Sequence, residues 1–514
     1  MKTRPSGGSS PAQPSVPTMA LDVMLCLFIV NLTLQPLVEP DFGWHLRAGL
    51  DLIDHGWSLP VTDPYSHTMP DWHWVEHAWL TDGLLALIYR GLGPYGALGV
   101  ILFFGIVTTT ALWIAASLAL VRRSARLLAI VGALWVALPY LGARTQLISV
   151  LGVAIVLWIL NQITAFRTAT AWTLPPLFLL WSNLHGGFTA GLFVVAVVMA
   201  GHAGLRFLVD RGLVTAGRIA EPLLGWGDLA RVAAAFCVSA VATLANPYGW
   251  QLHAEIYASL TDRFMLENLV EWRPVSFQGW AGRAYLMYLI GITVLIAGWY
   301  RRVEPIRRML LALFFVLSLF HWRNVTLFLM VSIPLVAQLL EGAGRWAVER
   351  LSTAAAVAKA AITSMTVGAA LLLVHLGPDH LVHIWNAGTM PETFFEQTEY
   401  PIEAVRWIRA HPQEAGDRLY NDYGYGGFLD WWLPEHKVFI DGRMPAWRLG
   451  DRWIFSDYLR LNRPDSEALA ILNRYGVDWA LVNKDSPLAE MLAREPGWHL
   501  LYGDAKVDLF RRDG

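Results

Sequence analysis

Charge is what this 514-residue chain has least of. Asp, Glu, Lys and Arg together make up 16% of it, where a soluble protein carries roughly 25%. With 55% hydrophobic residues, that deficit excludes an ordinary soluble globular protein. Neither sign of charge is in surplus. The 39 basic and 41 acidic residues leave a net charge of −2, so no basic face offers itself to nucleic acid. Cysteine is scarce too. Cys26 and Cys237 are the only two, each lies in an apolar run, and both read as small apolar core residues rather than as ligands or disulfide partners. There is no nucleophile elbow, P-loop, HExxH or CxxC, so ATP hydrolysis and zinc proteolysis have no support. No internal repeat is found. Tryptophan is abundant, at 25 residues, as expected where indoles sit at a membrane–water boundary.

Long apolar runs are the other surplus. They fall at about 19–38, 97–121, 127–141, 147–165, 172–184, 187–209, 229–246, 284–300, 307–321, 324–341 and 355–377, each long enough to cross a bilayer or nearly so. The expectation is a polytopic α-helical membrane protein with about 11 transmembrane helices. Residues 1–18, basic and then Ser/Pro/Gly-rich, read as a disordered cytoplasmic tail. The first run lacks a small-x-small cleavage site and reads as a retained span. Residues 78–93 carry Asp82 in an otherwise apolar stretch of about 16. They read as an amphipathic helix lying in the interface. With that segment in plane, nearly all clustered Lys and Arg fall on the cytoplasmic side, and the remainder of the chain after 377 falls outside it.

The same topology collects the polar turns at the outer face. The longest of these, from Glu39 to His77 within a first outer loop of 39–96, is rich in carboxylates, histidine and tryptophan. Asp41 and His45 lie four residues apart, on one face if the segment is helical. A carboxylate there suits a general base or a cation ligand, and the histidine suits donation to a phosphate or leaving group; the plain alternative is a polar loop capping helices. DPYSHT (63–68) is turn chemistry. Glu76 precedes the in-plane helix and is either a cap or a catalytic partner. Arg144, Gln146, His185, Glu271 and Arg323 punctuate the ends of later spans. Arg144 and Arg323 either snorkel to headgroups or hold an anion, for which guanidinium is well shaped. His185, beside two glycines, is a site residue or a satisfied helix-end histidine.

Residues 378–514 are far more polar and alternate helix-like with strand-like segments. Helices are expected at 401–411 and 466–476, strands at 417–423, 437–443 and 477–484, and a hairpin with a Gly-Asp turn at 499–512. That pattern is a small α/β domain, extracytoplasmic by the parity of spans. NDYGYGGFLDW (421–431) is glycine-rich but lacks the dinucleotide spacing. Asp441 and Arg443 end the 437–443 segment, either as ligand contacts or as an internal pair fixing a loop.

At this point DFGWHL (41–46), LPVTDPYSHT (59–68), WVEHAWL (74–80), ARTQ (143–146), WSNLHGGF (181–188), NPYG (246–249), EWRP (271–274) and FIDGR (439–443) form a familiar set. The chain resembles the GT-C superfamily of integral membrane glycosyltransferases, and more closely a group of bacterial membrane proteins of that type. The resemblance covers most of the chain. It implies a multi-pass protein of the bacterial inner membrane that moves a hexosyl or pentosyl group, with inversion, from a polyprenyl-phosphate-linked donor to an extracytoplasmic glycan, lipid or protein acceptor. It implies that an acidic residue of the first outer loop, matched by Asp41, serves as base or metal ligand. A divalent cation, Mg or Mn, is compatible with that role. The family's paired acids are met by Glu39-Pro-Asp41, and the WWD-type signature of oligosaccharyltransferases is absent. Two other readings stay open on the residues alone, a transporter or flippase of lipid-linked substrates and a non-catalytic membrane scaffold. Transporters place charge at the bilayer midplane, whereas here it crowds one edge.

Overall fold

A computed structural model describes residues 16–513, apart from 216, 218, 220–221, 300–302, 464–466 and most of 351–376. The expected tail up to residue 15 and the last apolar run lie outside the described residues. Every other apolar run forms a helix: α1 (Val16–Thr33), α4 (Gly96–Ser117), α5 (Arg123–Ala137), α6 (Gln146–Thr164), α7 (Leu174–Leu184), α8 (Phe188–Asp210), α9 (Trp226–Ala242), α12 (Trp280–Trp299), α13 (Pro305–Phe320) and α14 (Val325–Arg350). Five are long and apolar enough to cross a membrane, and they include the cores of α4, α6, α8, α12 and α14. The protein is thus a polytopic helical membrane protein, with five such helices among the described residues.

Close packing follows from the small residues on these helices. A Cβ at Gly152 would collide with the ring of Trp181, which is 2% exposed, and so would one at Gly191. The small faces therefore let α7 lie against its neighbours. Large apolar side chains such as Ile106, Val241 and Met287 point outward and are 66–72% exposed. An all-round apolar exterior of this kind fits a helix facing lipid.

Two shorter helices belong to the first loop. The first is α2 (Phe42–Asp54), which buries Phe42, Trp44, His45, Leu46 and Leu52. The second is α3 (Trp79–Gly91), whose 13 residues are too few to span a bilayer. They pack against each other at Gly49, where any side chain would strike the Asp82 carbonyl. The helix at Gly426–Trp432 packs on the other side of α2. There the chains meet backbone to backbone: a Cβ on Gly43 would overlap the Gly427 carbonyl, and one on Gly427 would overlap the Pro40 carbonyl.

The C-terminal region carries one four-stranded sheet, β1 (Leu419–Asn421), β2 (Trp479–Asn483), β3 (Trp498–Gly503) and β4 (Val507–Arg512), in the order β1-β2-β4-β3. β1 runs parallel to β2, and the other pairs are antiparallel. The expected helices are present at Ile402–Ala410 and Ala468–Arg474, and β3–β4 is the expected hairpin. The segment at 437–443 corrects the sequence reading. Val438, Phe439 and Ile440 are fully buried, as read, but make only a single parallel bridge, Ser66 to Val438. Side chains satisfy its backbone instead. The Asn421 amide accepts from Phe439 N at 2.8 Å and donates to the Ile440 carbonyl at 2.8 Å, while Thr68 Oγ1 donates to the Phe439 carbonyl at 2.7 Å. A buried strand has thus been replaced by a segment threaded between the sheet and the first loop.

Candidate active site

Where the first loop, the ends of several later helices and the C-terminal region meet, they enclose a cavity of about 510 Å³. Its lining includes Asp41, His45, Arg144, Gln146, His185, Glu271, Arg323 and Arg443, which the sequence reading had singled out from six separate segments. Two other candidates lie elsewhere. Glu76 faces a second pocket of about 280 Å³ behind His45, and Asp441 is fully buried beneath Arg443.

Asp41 is the residue that opens α2, so its carboxylate stands at the helix N-terminus, where negative charge is favoured. Trp44 Nε1 donates to Asp41 Oδ1 at 3.2 Å. Gly442 comes so close that a Cβ there would collide with that carboxylate. Burial pushes the Asp41 carboxyl above the usual range, and Glu271 adds to the rise, while His45, Trp44 and Arg144 oppose it. Glu39 is ion-paired with Arg144. Burial raises its carboxyl against that pairing.

The cations differ in availability. Arg144 is engaged by Glu39. Arg323 lies 3.5 Å from Glu271, is one-third exposed, and sits 5.0 Å above the Trp272 ring. Arg443 is fully committed. Its Nη1 lies 2.7 Å from Asp63, and Nη2 and Nε lie 2.5 and 2.9 Å from the two oxygens of Asp441. Its guanidinium is also stacked among Tyr65, Trp74 and Trp447. Asp441 and Arg443 form an internal pair that, through Asp63, ties the first loop to the C-terminal region, and Arg443 also lines the cavity.

Three imidazoles run along one wall. His45 and His77 centroids are 6.0 Å apart, and His77 and His185 are 5.5 Å apart. Burial holds all three neutral, with His45 lowered to about 4, His77 to about 3 and His185 well below its ordinary value. The His185 tautomer can be read from its partners. Gly187 N–H donates to Nδ1 at 3.0 Å, and Ser149 Oγ lies 2.7 Å from the same nitrogen. The proton of the neutral ring is therefore on Nε2, which makes it a hydrogen-bond donor. His45 is stacked on Trp44, with its Nδ1 2.8 Å from Asp82 Oδ1 and its Nε2 3.2 Å from Thr145 Oγ1.

Sequence reasoning missed Asp82, Thr145 and Tyr423 as site residues. Asp82 carried a signal, a lone carboxylate in an apolar helix. Tyr423 lines the cavity from the NDYGYGG stretch. Burial, and then the nearby Asp41 and Glu271 carboxylates, push its hydroxyl well up, so it stays protonated as a donor. Among the described residues, the group able to hold a metal ion is His45, Glu76 and Asp82, whose ligand atoms lie within 4.8 Å of one another.

With many helices, a first loop carrying two short helices and a C-terminal α/β region, the fold is that of the GT-C integral membrane glycosyltransferases. Oligosaccharyltransferase AglB from Archaeoglobus fulgidus, solved with an inhibitory peptide and a dolichol-phosphate, superposes with a TM-score of 0.57 at 13% identity, over 90% of this chain and 69% of its own. ArnT from Cupriavidus metallidurans, bound to undecaprenyl phosphate, gives 0.51 at 16% identity over 96% of this chain and 97% of its own. Arabinofuranosyltransferase AftD from Mycobacteria gives 0.50 at 13% identity, over 97% of this chain but 40% of its own. No protein-family model matches the sequence, and no curated protein matches it by sequence. The likeness is one of fold.

Proposed function

We propose that the protein is an inverting membrane glycosyltransferase. It moves a hexosyl or pentosyl group from a polyprenyl-phosphate-linked donor to a glycan, lipid or protein acceptor. The observation that carries the reading is the pairing, in one cavity, of an under-partnered carboxylate, Asp41, with an under-partnered guanidinium, Arg323. The fold supports it: AglB and ArnT were solved with polyprenyl phosphates.

In the proposed step Asp41 accepts the proton of the acceptor hydroxyl as its oxygen attacks the anomeric carbon. The bond from that carbon to the phosphate oxygen breaks on the opposite face, and the lipid phosphate leaves with the electron pair. Negative charge grows on the leaving phosphate, so fixed donors there lower the barrier. Arg323 and the Nε2–H of His185 supply them, with Gln146 beside them and Arg144 held in place by Glu39. His45 supports Asp41 from the next turn of α2. In this reading the chain crosses the bacterial inner membrane about eleven times. Residues 19–377 form the membrane module, and 378–514 form an extracytoplasmic domain.

The test is transfer from radiolabelled polyprenyl-phosphate sugars by the protein in nanodiscs. The expected outcome is turnover that falls by a factor of about 10² or more in Asp41→Asn, with unchanged thermal unfolding. Equal turnover in both proteins would remove Asp41 from the chemistry. Absence of turnover with every donor, together with donor binding that depends on Arg323, would favour a transport reading.

A further inference from the structure

The transfer step leaves one buried cluster unused. Behind the His45 ring, Glu76 and Asp82 are 2% and 1% exposed. Glu76 uses one oxygen to accept the Ala78 N–H at 3.0 Å, and Asp82 uses one on His45 at 2.8 Å. The second oxygen of each, Glu76 Oε2 and Asp82 Oδ2, is buried without a hydrogen-bond partner. Among the described residues no Lys or Arg forms an ion pair with either carboxyl; the side chains within reach are His45, 2.8 Å from Asp82, and His77, 4.0 Å from Glu76. Two unpartnered carboxyl oxygens this deep and this close together are costly, and each calls for a partner.

We infer that His45, Glu76 and Asp82 bind a divalent transition-metal ion of the zinc or manganese kind. One imidazole nitrogen with two carboxylates is a donor set for those ions, whereas magnesium and calcium favour oxygen throughout. The ligand atoms already lie within 4.8 Å of one another. The orienting partner is also present. With Nδ1 on the ion, the ring proton moves to Nε2, and Thr145 Oγ1 at 3.2 Å accepts it. A route in exists as well, because Glu76 and Asp82 both line the smaller pocket, which has room for water on the open side of the ion.

The backbone is built to allow it. His45 stands on α2 and Asp82 on α3, and Gly49 lets the two helices approach until its Cα faces the Asp82 carbonyl. The ion would staple these helices and fix the His45 ring, hence the turn that presents Asp41. Asp41 itself is not a ligand. The inference stands whether or not the protein transfers sugar.

The experiment is elemental analysis of the full-length protein purified in detergent without added metal. It is followed by chelation and titration with Mn²⁺, read by electron paramagnetic resonance, and with Zn²⁺. The expected result is about one ion per chain, retained in Asp41→Asn, with affinity weakened at least roughly tenfold in Glu76→Gln and in Asp82→Asn. Wild-type protein that carries no ion and shows no saturable uptake of either metal overturns the inference, with no variant needed. So does an ion lost in Asp41→Asn but kept in Glu76→Gln, which would place it in the main cavity.

Discussion

Arg443→Met tests how the first loop is held to the C-terminal region. The Arg443 side chain is 2% exposed, and its two partners, Asp63 and Asp441, are fully buried. A third carboxyl, Asp430, is 3% exposed with one oxygen unpartnered, and burial pushes it well up so that it keeps its proton. Methionine matches the volume but not the charge. Asp63 would keep only the N–H groups of Tyr65 and Ser66 and the Ser66 hydroxyl, and Asp441 only the N–H of residue 443. Stranding a buried charge in this way costs about 3–5 kcal/mol, a fall in unfolding temperature of roughly 3–5 °C for a chain of this length. The assay is thermal unfolding followed by tryptophan fluorescence, with limited proteolysis to show whether the region after 377 is released. Because the cost comes from the stranded carboxylates, adding Asp63→Asn and Asp441→Asn to Arg443→Met should recover at least about half of it. A loss under about 1 kcal/mol in the single variant, or no recovery in the triple, would refute the reasoning.

Other outcomes follow from the same contacts. In the proposed transfer step Asp41 is ionised when it acts as a base, and burial raises its carboxyl, so the acid limb of the transfer rate should lie above the usual carboxylate range; a limb near pH 4 would contradict the burial. His67 donates from Nε2 to the Leu419 carbonyl at 2.9 Å, while its Nδ1 is buried without a partner. Burial lowers its pKa to about 4, with Arg418 and Lys437 also disfavouring charge and Asp478 opposing them. The folded value lies below the unfolded one, so this stability is present above about pH 6.5 and is lost as pH falls towards 4, by up to about 3 kcal/mol; His67→Gln should flatten that slope in a pH series of unfolding curves. Gly43→Ala places a methyl against the Gly427 carbonyl, where two backbones meet and neither can yield. It should cost about 1–3 kcal/mol, whereas Gly227→Ala, which meets nothing within 4 Å, should be near neutral in the same measurement.

Much of the fold was legible because lipid asks little of a sequence. A helix in a bilayer satisfies its own backbone and needs only length and apolarity, so the runs forming α4, α6 and α14 could be read without knowing their neighbours. The polar turns between such runs had few other places to go, and the cavity gathers Asp41, Arg144, His185 and Arg323 from them. Long-range satisfaction was hidden. Nothing local says that the Asn421 side chain would replace the ladder partners of Phe439 and Ile440, so 437–443 read as a strand. Nor does spacing show that Asp82 would meet His45 across 37 residues of chain. Nor could the two-residue spacing of Asp441 and Arg443 show that Asp63, 380 residues from Arg443 in the chain, would join the pair.

The glycine-to-glycine seam between α2 and the helix at Gly426–Trp432 has a consequence for biosynthesis. The ribosome makes Asp41 early and Gly442 about 400 residues later. The helices named above from α1 to α14 all precede Gly442 in the chain, so they emerge before the wall behind Asp41 exists. A nascent or truncated chain that stops before residue 421 lacks Tyr423, Gly427 and Gly442. It would hold the Asp41 carboxylate in an unfinished cleft open to water.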